Sequence, residues 1–127
     1  MPYQIARVGD IDIHYELADY TPPWNNTPPE TILLHHGYAR NLLFWQTLVP
    51  RLTADYRVLR FDARGCGDTT KPPPGSVFRF EQFVGDAIGL MDALGIGRVH
   101  WIGESSGGII GLNTALTHAG RLHTLTL

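Results

Sequence analysis

The sequence has one cysteine, Cys66, among its 127 residues, so it cannot form a disulfide within the chain. A lone thiol is typical of a protein from a reducing compartment, and we expect a cytoplasmic protein. The N-terminus lacks the apolar region of a secretory signal, and no later run is long enough to span a bilayer. Lysine is almost absent, since Lys71 is the one lysine among ten basic residues. The arginines are scattered and the formal net charge is −2, so we expect neither a nucleic-acid nor a membrane partner.

Repeats, low-complexity tracts and domain linkers are also missing from the sequence. At 127 residues the chain is long enough to bury one hydrophobic core and too short for two domains. Its hydrophobic content of 43% is ordinary for a globular protein.

The most informative stretch is 99–111, which begins with β-branched and aromatic residues and ends as an apolar helix. Between these parts lies Gly103-Glu-Ser-Ser-Gly107, a G-x-S-x-G motif. After a strand and before a helix, this motif is typical of the nucleophile elbow of serine hydrolases. Ser105 would then occupy a strained, sharp turn that leaves no room for side chains two positions before and after it. A glycine-rich turn without chemistry is the alternative, and the strand–motif–helix order favours the elbow.

Hydrophobic periodicity predicts the remaining elements. Alternation around Gly9-Asp10 predicts a β-hairpin of residues 3–8 and 11–17. Short apolar runs and helical spacing predict strands at 31–35, 57–62, 99–103 and 121–127, and helices at 42–53, 80–94 and 106–118. Pro50 should kink the first helix or mark a late start. Strands that alternate with helices predict an α/β fold with a mostly parallel sheet and right-handed crossovers.

Three motifs follow successive strands of this prediction: His36-Gly37-Tyr38, Phe61-Asp-Ala-Arg-Gly-Cys-Gly67 and Gly103-Glu-Ser-Ser-Gly-Gly108. With these motifs in this order, the sequence resembles the α/β-hydrolase superfamily, in particular its branch of 3-oxoadipate enol-lactonases, esterases and haloperoxidase-like enzymes. The resemblance implies a sheet of the α/β-hydrolase type, of which residues 1–127 would form the N-terminal part of a single domain.

The resemblance also implies a mechanism. Ser105 would be the nucleophile, and the backbone N–H groups of Tyr38 and Ser106 would form the oxyanion hole. The substrate would be a small carboxylic ester or lactone, and neither a cofactor nor a metal is expected. Haloalkane dehalogenases and epoxide hydrolases of this fold have aspartate as nucleophile, so serine at position 105 argues against both. The residues expected around the substrate are His36, Gly37, Trp45 and Glu104.

Several of these residues have a structural alternative. His36 is either a base or ligand, or a structural residue of its loop, and the second role is favoured. Glu104 could tune the site electrostatically, although a carboxylate that is solvated or bonded to a loop is the preferred interpretation. Trp45, together with Phe44, could line an acyl pocket, and its helical spacing fits the core equally well.

The other polar residues are expected to be structural. Asp62 and Arg64 should hold loops together, and Cys66 should be a passive thiol. His35 and His100 should be hydrogen-bonded core residues rather than ligands, because no metal-binding spacing is present.

The rest of a catalytic triad is missing from the sequence. The family order is serine, acid, histidine, yet no aspartate or glutamate follows Ser105. The later histidines, His118 and His123, do not match the family's position for the base. We therefore expect a triad-incomplete chain, truncated after the sixth strand and inactive alone. Its exposed last strand predicts self-association or a complementing C-terminal chain. The alternative function is a non-catalytic scaffold or binding module that self-associates.

Overall fold

The computed structural model describes residues 3–127 and contains one sheet of six strands. The strands are β1 (Gln4–Val8), β2 (Ile11–Ala18), β3 (Thr31–His35), β4 (Arg57–Phe61), β5 (Val99–Gly103) and β6 (Leu122–Thr126). They lie in the order β1-β2-β4-β3-β5-β6. The first two strands form the predicted hairpin and β2 pairs antiparallel with β4, whereas all later pairings are parallel. The predicted, mostly parallel α/β sheet is confirmed.

The helices are α1 (Val49–Leu52), α2 (Phe80–Ala93) and α3 (Ser106–Thr117), with 3₁₀ turns at Leu42–Trp45 and Ala119–Arg121. The expectation of a continuous helix over 42–53 is wrong. A 3₁₀ turn, capped by the Asn41 side chain, is separated from the four-residue α1, which has Pro50 in its first turn. Proline lacks the N–H that a helix interior needs, so it is tolerated only where a helix begins. The late start that Pro50 predicted is thus the correct alternative.

Two hydrophobic clusters cover the two faces of the sheet. The larger one joins α2 and α3 to alternate residues of the strands, including the fully buried Leu33, Leu59 and Trp101. The smaller one packs α1 and the 3₁₀ turn against Ile32 and Val58. The apolar stripe predicted for α2 is buried over its middle, but Phe80 at its start is 47% exposed.

The carboxyl ends of β3, β4 and β5 meet at one edge of the sheet, because these neighbouring strands are parallel. The loops after β3 and β4 and the junction between β5 and α3 therefore lie side by side. All three sequence motifs fall at this edge. Over residues 3–127, no helix is both long and apolar enough to cross a membrane.

Candidate active site

Ser105 lies in a sharp junction between β5 and α3, and its backbone is in a disfavoured conformation. Its φ of 55° and ψ of −118° are unusual for a residue with a side chain. The strain predicted from the motif is therefore present. Ser106 is the first residue of α3, so the helix begins immediately after the strained serine.

The two glycines that flank Ser105 are required by close backbone packing. A Cβ on Gly103 would overlap the Gly107 carbonyl, and a Cβ on Gly107 would overlap the carbonyl of His35. The first turn of α3 thus rests directly on the carboxyl ends of β3 and β5. The predicted need for glycine at both positions is confirmed. At Gly107 the close neighbour belongs to β3, which is not the strand that leads into the junction.

Two backbone N–H groups near this junction are without partners. Within residues 3–127, neither the N–H of Ser106 nor that of Tyr38 donates a hydrogen bond to the chain. Ser106 lacks a partner because the first N–H groups of a helix have no carbonyl before them. Tyr38 lies in a turn where Ala39 has a φ of 59°, and its side chain is 88% exposed.

His36 is a buried structural residue of the loop after β3. Its Nε2 accepts a hydrogen bond from the Ala63 N–H at 2.9 Å, so the proton is on Nδ1, which donates to the Gly37 carbonyl at 2.8 Å. Burial lowers the pKa of His36, which keeps the ring neutral. Both ring nitrogens are hydrogen-bonded inside the protein, and the ring holds the loop in position.

Glu104 connects the elbow to the same loop. Its Oε1 accepts the N–H of Gly37 at 2.9 Å and lies 3.0 Å from Nε of Arg40. A Cβ on Gly37 would overlap this carboxylate, so a larger residue there would displace Glu104 from its present position. The loop-bonded reading of Glu104 agrees with this geometry, whereas the contribution of Arg40 had no signal in the sequence.

Asp62 holds the loop after β4, as expected from its motif. Its two oxygens accept the N–H groups of Leu42 and Asp68 at 2.8 and 2.9 Å, and Oδ2 lies 2.7 Å from Nδ1 of His14. Arg64 forms a two-pronged ion pair with Asp86 at 2.8 and 3.0 Å. His14 and Asp86 are distant in sequence from their partners, so no local pattern could have indicated them.

The structure decides between the two positions left open for Trp45 and corrects the position expected for His100. Trp45 is 7% exposed and packs in the smaller hydrophobic cluster, which places it in the core and not in a pocket. The expectation that His100 is a core residue is wrong, because its side chain is 21% exposed. It is hydrogen-bonded, as expected, to Thr124 and Glu30. Burial raises the pKa of Cys66, so this thiol stays protonated and passive, as predicted.

Neither histidine that follows Ser105 lies near its hydroxyl. His118 ends α3, about 18 Å along the helix from its start, and His123 lies near the start of β6, roughly 13 Å from the Ser105 edge. Within the described residues, the Ser105 hydroxyl makes no hydrogen bond. The junction thus presents a serine and two free N–H groups without an adjacent base.

Comparison with known proteins identifies the family of this fold. A family model described as "alpha/beta hydrolase fold" matches residues 30–127. The chain belongs to the α/β-hydrolase family. The fold and the resemblance inferred from the three motifs are therefore confirmed.

Individual α/β-hydrolase relatives are similar along nearly the whole chain. The chain is 32% identical over 120 residues to the "Putative carbamate hydrolase RutD" of Caulobacter segnis. The aligned region covers 94% of this chain and 43% of the relative. The chain is 31% identical over 127 residues to a fluoroacetate dehalogenase of Burkholderia sp., covering 98% of this chain and 39% of that protein. The crystal structure of the enol-lactonase from Burkholderia xenovorans matches with a TM-score of 0.82 and 34% identity, over 95% of this chain and 44% of the other. The chain thus spans about two-fifths of the length of these α/β hydrolases.

The packing of Gly107 makes a direct prediction about stability. Gly107→Ala should lower the free energy of unfolding by about 1–3 kcal/mol, because the added methyl group overlaps a backbone carbonyl that cannot move aside. Urea denaturation measures this change. The matched control is Gly108→Ala in the same helical turn, where the methyl group meets the exposed, flexible side chain of Leu127 and lies at ordinary contact distance from the Gly103 carbonyl. This control should retain or slightly gain stability through helix propensity, and equal losses in both variants would contradict the packing argument.

His35 makes the stability depend on pH. Its ring lies between Phe61 and Trp101, and burial lowers its pKa to about 4. The folded pKa is below the unfolded value of about 6.5, so the stabilisation is complete above pH 6.5 and is lost as the pH falls toward 4. The loss should be roughly 2–4 kcal/mol in urea titrations across this range.

His35→Asn isolates this contribution, because its amide can replace the Nδ1 donor to the His36 carbonyl without titrating. In this variant the free energy of unfolding should depend less on pH between 6.5 and 4. Substitution of the exposed His118 should leave that dependence unchanged. If the free energy of unfolding of His35→Asn depends on pH as steeply as that of the native chain, the loss of stability must come from other titratable groups.

Proposed function

We propose that the chain carries the nucleophile and oxyanion hole of a serine hydrolase that acts on a carboxylic ester or lactone. The observation that carries the proposal is the strained Ser105, followed directly by a free N–H at the start of α3. Strain of this kind costs about 1–3 kcal/mol and tends to persist at functional sites. A glycine-rich turn without chemistry would not need a serine in this conformation.

The proposed reaction is acyl transfer in two steps. The Ser105 oxygen attacks the carbonyl carbon of the substrate while a base removes its proton, and the alcohol or enol oxygen leaves to give an acyl-enzyme. Water then attacks the acyl carbon and releases the acid. The developing oxyanion would accept hydrogen bonds from the N–H groups of Tyr38 and Ser106, and loss of one such donor typically costs about a hundred- to a thousand-fold in rate.

The loop contacts support this assignment of donors. His36 and Glu104 fix the backbone on either side of Gly37, immediately before Tyr38. A preorganised N–H stabilises a transition-state charge without having to reorient during the reaction. His36, Gly37 and Glu104 would thus support the donor loop, and Tyr38, with its exposed side chain, would adjoin the substrate.

The names of the relatives favour acyl chemistry. Two of them are named for reactions at a carbonyl carbon, the carbamate hydrolase and the enol-lactonase. The fluoroacetate dehalogenase is named for a different reaction. A serine at position 105 suits attack on a carbonyl, because the acyl-serine ester can be hydrolysed to regenerate the enzyme.

The base and its orienting acid would come from polypeptide outside residues 1–127, which would form the N-terminal part of a single hydrolase domain. No acidic residue follows Ser105 in the sequence, and the two later histidines lie away from it. A complementing C-terminal chain, or a continuation of this one, would supply both groups. Without them the chain alone should have little activity.

Chemical rescue tests the proposed nucleophile. Intact-mass spectrometry should show slow addition of one fluorophosphonate to the 127-residue chain, and added imidazole should accelerate it by replacing the absent base. Ser105→Ala should abolish the adduct. Ser106→Ala is the matched control, since it keeps the backbone N–H and should still be labelled. Labelling that persists in Ser105→Ala, or no adduct even with imidazole, would reject Ser105 as nucleophile.

A second candidate function is a non-catalytic module that self-associates. Exposed apolar side chains follow one face of α3 at Ile109, Leu112 and Leu116, with 49, 47 and 78% exposure. The strand β6 lies beside this helix at an open edge of the sheet. Apolar patches and unpaired strand edges favour association with another chain.

Self-association can be tested separately from labelling. In sedimentation velocity the native chain should be dimeric or larger at micromolar concentrations, and the double change Leu112→Glu with Leu116→Glu should make it monomeric by placing charges on the apolar face. Leu43→Glu, at an exposed position outside α3, should leave the association unchanged. A native chain that sediments as a monomer would remove the support for this candidate.

A further inference from the structure

Two histidines and one glutamate meet at the edge of the sheet opposite Ser105. Glu30 directly precedes β3, whereas His100 and His123 lie near the starts of β5 and β6. Oε1 of Glu30 lies 2.9 Å from Nε2 of His100, and Oε2 lies 3.4 Å from Nε2 of His123. The three side chains offer one donor atom each, all within 4.8 Å of one another.

A β-bulge brings His123 to this cluster. Val99 pairs with Leu122 but His100 pairs with Thr124, so His123 is an extra residue in β6. Leu122 and Leu125 pack against the larger hydrophobic cluster on one face. His123 and Thr124 both contact His100 on the other face, His123 by ring stacking and Thr124 by a hydrogen bond. Bulges commonly serve to re-aim a side chain in this way.

The environment of His100 resembles that of a metal-binding histidine. Its Nδ1 lies 2.8 Å from the Thr124 hydroxyl, and the Tyr56 ring packs edge-on against it. When Nδ1–H donates to Thr124, the lone pair of Nε2 is on the side of Glu30, whose Oε1 lies 2.9 Å away. Histidine ligands usually have such a partner on the second nitrogen, which fixes the tautomer and the ring orientation.

We propose that Glu30, His100 and His123 form a binding site for a divalent transition-metal ion such as Zn²⁺. Two imidazole nitrogens and a carboxylate oxygen are a donor set that zinc accepts, with a fourth position left for water. Ligand atoms about 2.0–2.2 Å from a tetrahedral zinc lie roughly 3.3–3.5 Å apart. The two oxygens of Glu30 lie 2.9 Å from the His100 nitrogen and 3.4 Å from the His123 nitrogen, respectively, so the ligand atoms need only small shifts to reach these separations. Small side-chain rotations would suffice, because Glu30 is 52% exposed and free to adjust.

The site is independent of the hydrolase chemistry. His100 lies at the amino end of β5, and Ser105 follows its carboxyl end. The ion would hold β6 to β5 and to the start of β3. It would therefore act as a structural clamp between three segments that are distant in sequence.

Metal titration tests the proposal on the complete 127-residue chain. After treatment with EDTA, isothermal titration calorimetry should show one Zn²⁺ per chain at a pH about one unit above the ordinary histidine pKa of about 6.5. Glu30→Gln and His123→Gln should each weaken binding at least about 100-fold, since even loss of a partner that only orients a ligand costs about 10–100-fold. Co²⁺ bound at the site should give visible absorption that the same variants lose.

His118→Gln is the matched control, because His118 is an exposed histidine outside the cluster and should leave binding unchanged. Glu30 lies outside the strands, so Glu30→Gln should keep the fold even if His123→Gln, in the bulge of β6, disturbs it. Circular dichroism checks that both variants are folded. No saturable Zn²⁺ binding by the native chain would overturn the proposal. Binding that survives Glu30→Gln, or that depends on His118, would overturn it as well.

Discussion

The contact between Gly107 and the carbonyl of His35 is the constraint on which the carboxyl edge of the sheet depends. It allows the first turn of α3 to rest on the backbone of β3, with no side chain between helix and strand. The chain must then turn from β5 into α3 within two residues, which forces Ser105 to a positive φ. The same geometry makes Ser106 the first helical residue and leaves its N–H without a partner. A single close approach thus accounts for the strain, the exposed serine and the free donor.

Around this contact, buried or half-buried polar side chains hold the neighbouring loops by their backbone groups. His36 bridges the loops after β3 and β4, Glu104 bridges the elbow to Gly37, and Asp62 accepts two N–H groups beside it. Hydrogen bonds to charged groups contribute about 1.5–3 kcal/mol each, and they fix the direction of the N–H groups they involve. Irregular loops acquire a defined shape in this way, although they lack the ladder of bonds that a strand or helix has.

The sequence predicted those features that depend on local pattern. Hydrophobic runs and glycine spacing located every strand, the parallel sheet and the elbow, because burial and backbone sterics act over a few residues. The sequence did not show that the helix predicted over 42–53 is interrupted at 46–48, or that Trp45 is buried. The same spacing of apolar residues fits one helix or two short turns, and it fits Trp45 in the core or in a pocket. The partners His14, Arg40 and Asp86 and the cluster at Glu30 depend on contacts between distant segments. The position of His123 depends further on a bulge that has no signature in its own residues.

The carboxyl and amino edges of the sheet differ in what must be stabilised there. At the carboxyl edge, β5 is followed within two residues by the strained Ser105, whose conformation persists only if the strand itself is held firmly. At the amino edge, β5 is bonded to β3 on one side and to the bulged, open-edged β6 on the other. An ion shared by Glu30, His100 and His123 would secure the pairing of β5 with this edge strand without contacting the elbow. A ligand that binds only the folded state stabilises that whole state by an amount that grows with the logarithm of the free ligand concentration. Such a clamp would therefore also favour the strained geometry of Ser105 from the far end of the strand.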